Sequence, residues 1–181
     1  MTDEQLVQKC NLQDPAAQRE LYDRFSRKMF GVCLRYGNSK ESAEDLLQEG
    51  FVKVFIKLSS FKNEGSLEGW IRRVIVNTAL DHLRQQKISW SNIEIQEDAL
   101  VTEQDFGNVD QKELLKLIQK LPDGYRTVFN LYAIEGFNHQ EIAKELGINE
   151  NTSKSQYSRA RAQLILAVNR LYGKEVIDRQ K

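Results

Sequence analysis

This sequence lacks several features, and each absence excludes a class of protein or site. No apolar run among the 181 residues approaches the roughly 20 needed to span a bilayer. The stretch from Met1 to Gln5 is acidic and polar, unlike a signal peptide, so we expect a cytoplasmic protein without direct membrane insertion. For Cys10 and Cys33 we expect buried thiols rather than a disulfide. His82 and His139 are far from each other and from any Cys-x-x-Cys, so no metal or other cofactor is expected.

The charge balance is neutral overall but uneven along the chain. Residues 1–87 hold 14 Lys+Arg against 12 Asp+Glu, residues 88–113 hold 1 against 7, and residues 114–181 hold 11 against 7. An acidic strip therefore separates two mildly basic halves. Such asymmetry indicates a charged partner more than it indicates a particular fold.

The periodicity of the chain is helical. The sequence has only 2 prolines, and it contains no long alternating run typical of a strand. We therefore predict an all-α protein, with two small helical domains at residues 1–87 and 111–181. A flexible acidic linker is expected between them, at residues 88–110, where the periodicity is lost.

Three helices are predicted in the first domain. Asp14 and Pro15 have the pattern of an N-cap followed by proline at the first helical position. A turn is expected at Gly37, and a second break, with Ser66 as a cap, precedes a third helix over residues 67–87. The apolar positions of the second helix recur at helical spacing and are Leu47, Phe51, Val54, Phe55 and Leu58.

The second domain carries the sharpest local pattern, a helix-turn-helix. Asn138 and Glu141 have capping-box spacing, Gly147 suits a left-handed turn, and a second helix is predicted from about Asn151. Such a helix enters the major groove, where its polar face can donate to phosphates and base edges. The residues predicted on that face are Lys154, Ser155, Ser158 and Arg159. A plain helical hairpin with a solvated face is the alternative, and Arg161 and Arg170 suit either phosphate contacts or the surface.

Two sets of motifs carry a resemblance to a known family. The second domain contains residues 121–129 (LPDGYRTVF), residues 141–148 (EIAKELGI) and residues 158–161 (SRAR). The first domain contains residues 45–51 (DLLQEGF), and then Trp70, Ile71, Asn77, Asp81 and Arg84. Together, over residues 14–87 and 111–172, the chain resembles sigma factors of the extracytoplasmic-function group. The resemblance implies a protein that directs core RNA polymerase to promoters and opens their minus-ten element.

The resemblance assigns polymerase binding to the predicted second helix. Asp45, Gln48 and Glu49 share one polar face because they stand at i, i+3 and i+4. The family uses this ridge, continued here by Lys53, to grip a coiled coil of the largest polymerase subunit. A solvated helix surface is the alternative.

The third helix and the loop before it are assigned to the minus-ten element. Capture of a base that is turned out of the stack needs polar groups that read its edge and positive charge along the strand. The residues that match this role are Lys62, Asn63, Ser66, Arg73, Asn77 and Arg84. Asp81 is interpreted as a structural anchor for an arginine such as Arg84, and Trp70 as a core residue.

The resemblance further implies that Lys154, Ser155, Ser158 and Arg159 bind the minus-thirty-five element, and that an anti-sigma factor restrains the protein. Two departures stand out: Ser153 replaces a common valine, and Gln156 replaces a common arginine. We expect Ser153 to weaken packing under the second helix and Gln156 to remove one phosphate contact. The acidic linker is interpreted either as a nucleic-acid mimic in the polymerase channels or as a solubilising tether.

Three other classes of protein remain as alternatives. An ordinary transcription regulator would need a ligand pocket or a phosphorylatable aspartate at a strand end, and the sequence shows no strand–helix alternation. An enzyme would need a nucleophile–base pair, a metal set or a phosphate loop, and none of these patterns is present. A helical adaptor without a DNA role does not explain the basic second helix. We therefore expect core polymerase and promoter DNA as partners, and no catalysis by the chain itself.

Overall fold

The computed structural model of the chain describes residues 1–85 and 110–178, with side chains up to residue 171. It divides into two compact units, Met1–Gln86 and Lys87–Lys181. Every regular element in the described ranges is helical, and this confirms the predicted all-α fold with two helical domains. The predicted acidic linker and Lys87, the expected last residue of the third helix, lie outside the described residues, apart from Asp110.

The described part of the first unit is a bundle of α-helices. These are α1 (Asp3–Asn11), α2 (Pro15–Tyr36), α3 (Lys40–Lys57) and α4 (Leu67–Gln85), with a 3₁₀ turn at Leu58–Ser60 after α3. Helices α2, α3 and α4 pack against one another, and α1 covers α2. Fully buried aliphatic and sulfur side chains fill the bundle, among them Leu6, Leu21, Met29, Val54, Ile71, Ile75 and Leu80.

Capping side chains fix where these helices begin. Asp14 accepts a hydrogen bond of 2.9 Å from the backbone N–H of Ala16, and Pro15 takes the first helical position as predicted. Sequence periodicity did not predict α1. Its start is marked by a capping box in which Thr2 and Gln5 each accept the other's backbone N–H.

A glycine brings α3 and α4 close together. Gly50 is buried, and a Cβ added to it would overlap Cδ1 of Ile75, which is itself fully buried on α4. The absence of a side chain at position 50 therefore sets the separation of the two helices, and with it the distance between the polar groups that flank their crossing.

The second unit continues with short helices and one long one. They are α5 (Gln111–Gln119), α6 (Asp123–Phe129), α7 (His139–Leu146) and α8 (Glu150–Asp178), with one π-helical turn at Asn130–Ile134 after α6. One hydrophobic cluster in the core of this unit consists of Ile118, Leu121, Tyr125, Phe129, Ala160 and Leu164.

The guanidinium of Arg126 is buried in this unit. It donates to Asp123 Oδ1 at 2.6 Å and to the backbone oxygen of Gln119 at 3.1 Å. Burial lowers the pKa of Arg126, while the charge of Asp123 opposes that shift. Because Gln119 ends α5 and Asp123 begins α6, this side chain ties the two helices together.

Candidate functional site

The polar ridge predicted on the second helix lies on α3. Asp45 and Gln48 are exposed, and Glu49 and Lys53 are partly buried one turn further along the helix. The structure therefore brings the four predicted polymerase-binding residues together along one side of α3. Helical spacing alone sufficed to predict that much.

Charged contacts connect this ridge to α4. Glu49 uses Oε1 to pair with Lys53 Nζ at 2.9 Å and Oε2 to contact Nε2 of His82 on α4. Lys53 also pairs with Asp81 Oδ2 at 3.3 Å. The hydrogen bond from Lys53 lowers the pKa of Glu49, and the bond to Glu49 raises the pKa of Lys53, so both groups are held in their charged forms.

Asp81 occupies the centre of this group. Its Oδ1 accepts from Arg84 at 2.9 Å, which confirms the interpretation of Asp81 as an anchor for that arginine. A continuous series of contacts thus runs from His82 through Glu49, Lys53 and Asp81 to Arg84. Sequence reasoning did not predict the part played by His82, because no local pattern places it beside a residue more than thirty positions earlier.

Two large aliphatic side chains extend the outer face of α3. Val52 is 56% exposed and Ile56 is 72% exposed. At helical spacing they continue the stripe that begins at Asp45 and Glu49, so the predicted polar ridge carries an apolar end. The sequence offered one signal for this apolar end: neither Val52 nor Ile56 fits the inward stripe that contains Phe51 and Val54.

The predicted minus-ten residues lie on the loop before α4 and on its exposed side. Lys62 and Asn63 are exposed, and Asn63 adopts a positive φ of 57°. Ser66 is already engaged, because its Oγ accepts the backbone N–H of Gly69 at 3.1 Å. Along α4, Arg73 and Asn77 are exposed on the side that also carries Asp81 and Arg84.

Trp70 stands at the base of this loop. It is half-buried, and its ring packs on Phe61 with centroids 5.6 Å apart at a tilt of 54°. This contact agrees with a packing role for Trp70, but the ring is not fully inside the core as predicted.

The helix-turn-helix has the local geometry that its sequence predicts. Oδ1 of Asn138 accepts a hydrogen bond from the backbone N–H of Glu141 at 2.9 Å, and Oε2 of Glu141 accepts one from the backbone N–H of Asn138 at 2.8 Å. Gly147 ends α7 at φ 66°, in the left-handed region that favours glycine. Helix α8 then begins at Glu150, one residue before the predicted start.

The predicted recognition residues occupy the first turns of α8. Lys154 is exposed and pairs with Glu150 at 2.7 Å, an ion pair that lowers the pKa of Glu150. Ser155 donates its hydroxyl to the backbone oxygen of Thr152 at 3.0 Å. Ser158 is exposed and Arg159 is half-buried, so the four side chains differ in how freely they reach outward. Among the additional arginines, Arg161 is half-buried and Arg170 is exposed.

Two polar residues of α8 point inward. Ser153 is 0% exposed and Gln156 is 3% exposed. The expected loss of a phosphate contact at position 156 stays a prediction, and the side chain of Gln156 itself faces the interior of the unit. Ser153 meets a polar partner there, since its Oγ lies 2.9 Å from Nδ1 of His139. The inward stripe of Ala160 and Leu164, continued back at helical spacing, includes both positions.

The fold and these surfaces define a class: an all-helical DNA-binding protein with a helix-turn-helix in one unit and a charged ridge in the other. The family model described as Sigma-70 region 2 matches residues 21–88, and the model described as Sigma-70, region 4 matches residues 111–164. No helix in the described ranges is long and apolar enough to cross a membrane.

Known proteins of similar sequence agree with these matches. The ECF RNA polymerase sigma-E factor of Haemophilus influenzae is 30% identical over 177 residues, covering 89% of this chain and 92% of its own length. The RNA polymerase sigma-H factor of Pseudomonas aeruginosa is 29% identical over 174 residues, covering 88% of this chain and 90% of its own length. The chain belongs to the ECF group of RNA polymerase sigma factors, and it serves promoter-specific transcription initiation with RNA polymerase.

Among solved structures, the chain matches that of the sigma factor RpoE in complex with the anti-sigma factor NepR from Bartonella quintana. It is 22% identical to this chain, covers 81% of it and 92% of its own length, and has a TM-score of 0.49.

Proposed function

We propose that the two units divide the work of initiation between them, with domain limits at residues 1–87 and 111–181 and a linker at residues 88–110. The first unit binds core RNA polymerase and opens the minus-ten element, and the second binds the minus-thirty-five element. The polymerase carries out all the chemistry, and the chain is a cytoplasmic binding protein without catalysis of its own. The observation that carries this proposal is the exposed ridge of α3 beside the polar side of α4.

The polymerase-binding surface consists of Asp45, Gln48, Glu49 and Lys53. Its acidic character at Asp45 and Glu49 suits a basic helical surface on the partner. Asp45 is the sharper probe, because it is exposed and carries none of the contacts that engage Glu49. Removal or reversal of its charge changes the outer surface of α3 while the contacts with α4 stay in place.

A pull-down of core polymerase tests this surface. We expect the wild type to bind, and Asp45→Lys and Glu49→Lys to lose binding. Asp23→Lys, which makes the same charge change at an exposed position on α2, should bind like the wild type. Normal binding by Asp45→Lys would contradict the assignment of the ridge.

The minus-ten surface consists of Lys62, Asn63, Ser66, Arg73, Asn77 and Arg84. Asn77 offers an exposed amide that can both donate to and accept from a base edge. Asn77→Ala should reduce transcription from a duplex promoter and spare transcription from a template whose minus-ten region is already unpaired. A loss of equal size on both templates would show that Asn77 does not act in opening.

The minus-thirty-five surface consists of Lys154, Ser155, Ser158 and Arg159. Lys154 should act on phosphate, so Lys154→Ala should weaken binding to all duplexes and lower the salt slope by about one. Arg159→Ala should weaken upstream recognition while polymerase binding survives. Unchanged transcription from every promoter with Arg159→Ala would contradict this assignment.

Restraint by an anti-sigma factor completes the proposal. It is supported by membership of the ECF group, for which the sequence resemblance implies such a partner. Co-purification from cells that express a tagged chain, with and without the Asp45→Lys substitution, would show whether a partner other than polymerase occupies the same unit.

A further inference from the structure

His139, a residue to which the proposed function gives no role, lies where the two helices of the helix-turn-helix meet. It occupies the first position of α7, and its ring stacks on Tyr132 with centroids 4.3 Å apart and planes 12° apart. Its Nδ1 lies 2.9 Å from Oγ of Ser153, which is on the first full turn of α8. Through this one side chain, α7 therefore contacts both the π-helical turn and α8.

A second aromatic ring on α8 joins the same group. Tyr157 stands one turn after Ser153, with its ring centroid 4.5 Å from that of Tyr132 and 5.9 Å from that of His139. It also stacks on Phe129 at 6.0 Å and 15°. The hydrogen bond from His139 to Ser153 and a set of packed aromatic rings thus help to hold the first turns of α8.

Ser153 needs this partner. It is fully buried, and a buried hydroxyl left without a hydrogen bond costs about 1–3 kcal/mol. Lys154, a predicted DNA contact, is the next residue, so a rotation of α8 that broke the bond would also turn Lys154 away from its position. The orientation of the DNA-reading face is therefore linked to the contact between His139 and Ser153.

We propose that His139 is a positioning residue that sets the orientation of α8 on DNA through its hydrogen bond to Ser153 and its stack on Tyr132. The proposal rests on the proposed minus-thirty-five role of α8. The ring acts in its neutral form near pH 7, because burial lowers the pKa of His139, the charge of Lys154 adds to that effect and Glu150 opposes it.

Variants can separate the two contacts of His139. His139→Phe keeps an aromatic ring for Tyr132 and removes the hydrogen bond. His139→Asn keeps a polar atom near the place of Nδ1 and removes the stack. The double variant His139→Phe with Ser153→Val replaces both polar partners by apolar groups, a change that can be nearly neutral where a single loss is not.

The assay uses the factor in complex with core polymerase. A duplex pool randomised over the upstream element is first enriched with the wild type, and the enriched duplex and a scrambled version of it serve as probes for all variants. We expect His139→Phe to lower affinity for the enriched duplex by roughly five- to tenfold, the worth of about one hydrogen bond. His139→Asn should lower it by roughly two- to tenfold, the worth of the lost stack on Tyr132. Affinity for the scrambled duplex should fall by a smaller factor, because phosphate attraction depends less than base reading on the orientation of α8. The double variant should recover most of the loss.

Two further measurements make the outcome decisive. The thermal midpoint of each variant shows whether the second unit remains folded at the assay temperature, and the polymerase pull-down should match the wild type throughout. If the single variants stay folded and keep the wild-type ratio of affinities for the two duplexes, His139 is structural only and the proposal fails. If the wild type enriches no upstream sequence, the proposed function of α8 fails instead.

Discussion

The same substitution, glycine to alanine, should have opposite effects at two helical positions of the first unit. Gly31 lies in α2, where an added Cβ would meet no atom within 4 Å. Gly50 lies in α3, where an added Cβ would overlap Cδ1 of the buried Ile75. Both changes give the same gain in helix propensity, so the difference between them isolates the cost of crowding at the α3–α4 crossing.

The magnitudes follow from that contrast. Alanine is favoured over glycine inside a helix by about 1 kcal/mol, so Gly31→Ala should raise the free energy of unfolding by up to that amount. Overpacking of a buried site costs about 1–3 kcal/mol, so Gly50→Ala should be destabilising by a net of about 0–2 kcal/mol. In a unit of this size, 1 kcal/mol corresponds to a shift of roughly 4–8 °C in the midpoint.

A compensating change at Ile75 sharpens the test. Ile75→Val removes the overlapped methyl group and alone should cost about 0.5–1.5 kcal/mol. The remaining neighbours of the new Cβ, Cγ1 and Cα of residue 75, would be at ordinary distances of 3.5 Å and 3.7 Å. Gly50→Ala should then stabilise the Ile75→Val background by about 1 kcal/mol, which implies a coupling between the two sites of about 1–3 kcal/mol.

Urea unfolding, followed by tryptophan fluorescence, measures these quantities. The chain has 2 tryptophans, so a Trp90→Phe background leaves Trp70 on α4 as the reporter for the first unit. If the effects of the two substitutions on the free energy of unfolding add to within about 0.5 kcal/mol, residue 50 of α3 does not contact Ile75 of α4 closely. A destabilising Gly31→Ala would show instead that helix propensity is not the term that governs these positions.

Three further outcomes are expected. Arg126→Met should destabilise the second unit by about 1–3 kcal/mol, because the backbone oxygen of Gln119 loses its donor and the partly exposed Asp123 loses its ion pair. Circular dichroism during urea unfolding would measure the loss, and a change below about 1 kcal/mol would contradict the inferred role. Gly147→Ala should lower the free energy of unfolding of the second unit by about 1–2 kcal/mol, because residue 147 has a left-handed backbone. Duplex binding, measured by fluorescence anisotropy, should weaken in parallel. An unchanged midpoint of urea unfolding would show that alanine fits this turn without strain. Burial raises the pKa of Cys33 to about 12, so its thiol stays protonated at pH 8 and should not react with Ellman's reagent until urea unfolds the chain. Rapid labelling of Cys33 in native protein would show that the site opens.

The sequence predicts well the features that depend on neighbouring residues. The cap at Asp14, the reciprocal box of Asn138 and Glu141, and the left-handed turn at Gly147 each need only two to four residues, and all three are present in the structure. Thr2 and Gln5 have the same box spacing at the start of α1, but apolar periodicity alone does not predict that helix.

Features that depend on contacts between residues far apart in the chain could not be predicted from the sequence. The contact of Glu49 with His82 joins residues 33 positions apart. It depends on the close approach that Gly50 allows, and nothing in the order of residues gives that separation. Gln156 is a different case: it was interpreted only as a lost phosphate contact, and its burial, which follows from its helical phase with Ala160 and Leu164, was not predicted.

The cross-linked charges determine which variants can be interpreted. Glu49 belongs to the proposed polymerase surface and Arg84 to the proposed minus-ten surface, yet Lys53 and Asp81 connect them through contacts of 2.9–3.3 Å. A Glu49→Lys chain would place a new cation beside Lys53 and His82 and disturb the ion pair of Lys53 with Asp81, so a defect in promoter opening could follow from a change on the polymerase side. Asp45 and Asn77 lie outside that series of contacts. We therefore expect Asp45→Lys to lose polymerase binding, and Asn77→Ala to lose promoter opening while it keeps polymerase binding. This pair of results would separate the two functions, which variants of Glu49 and Arg84 cannot do.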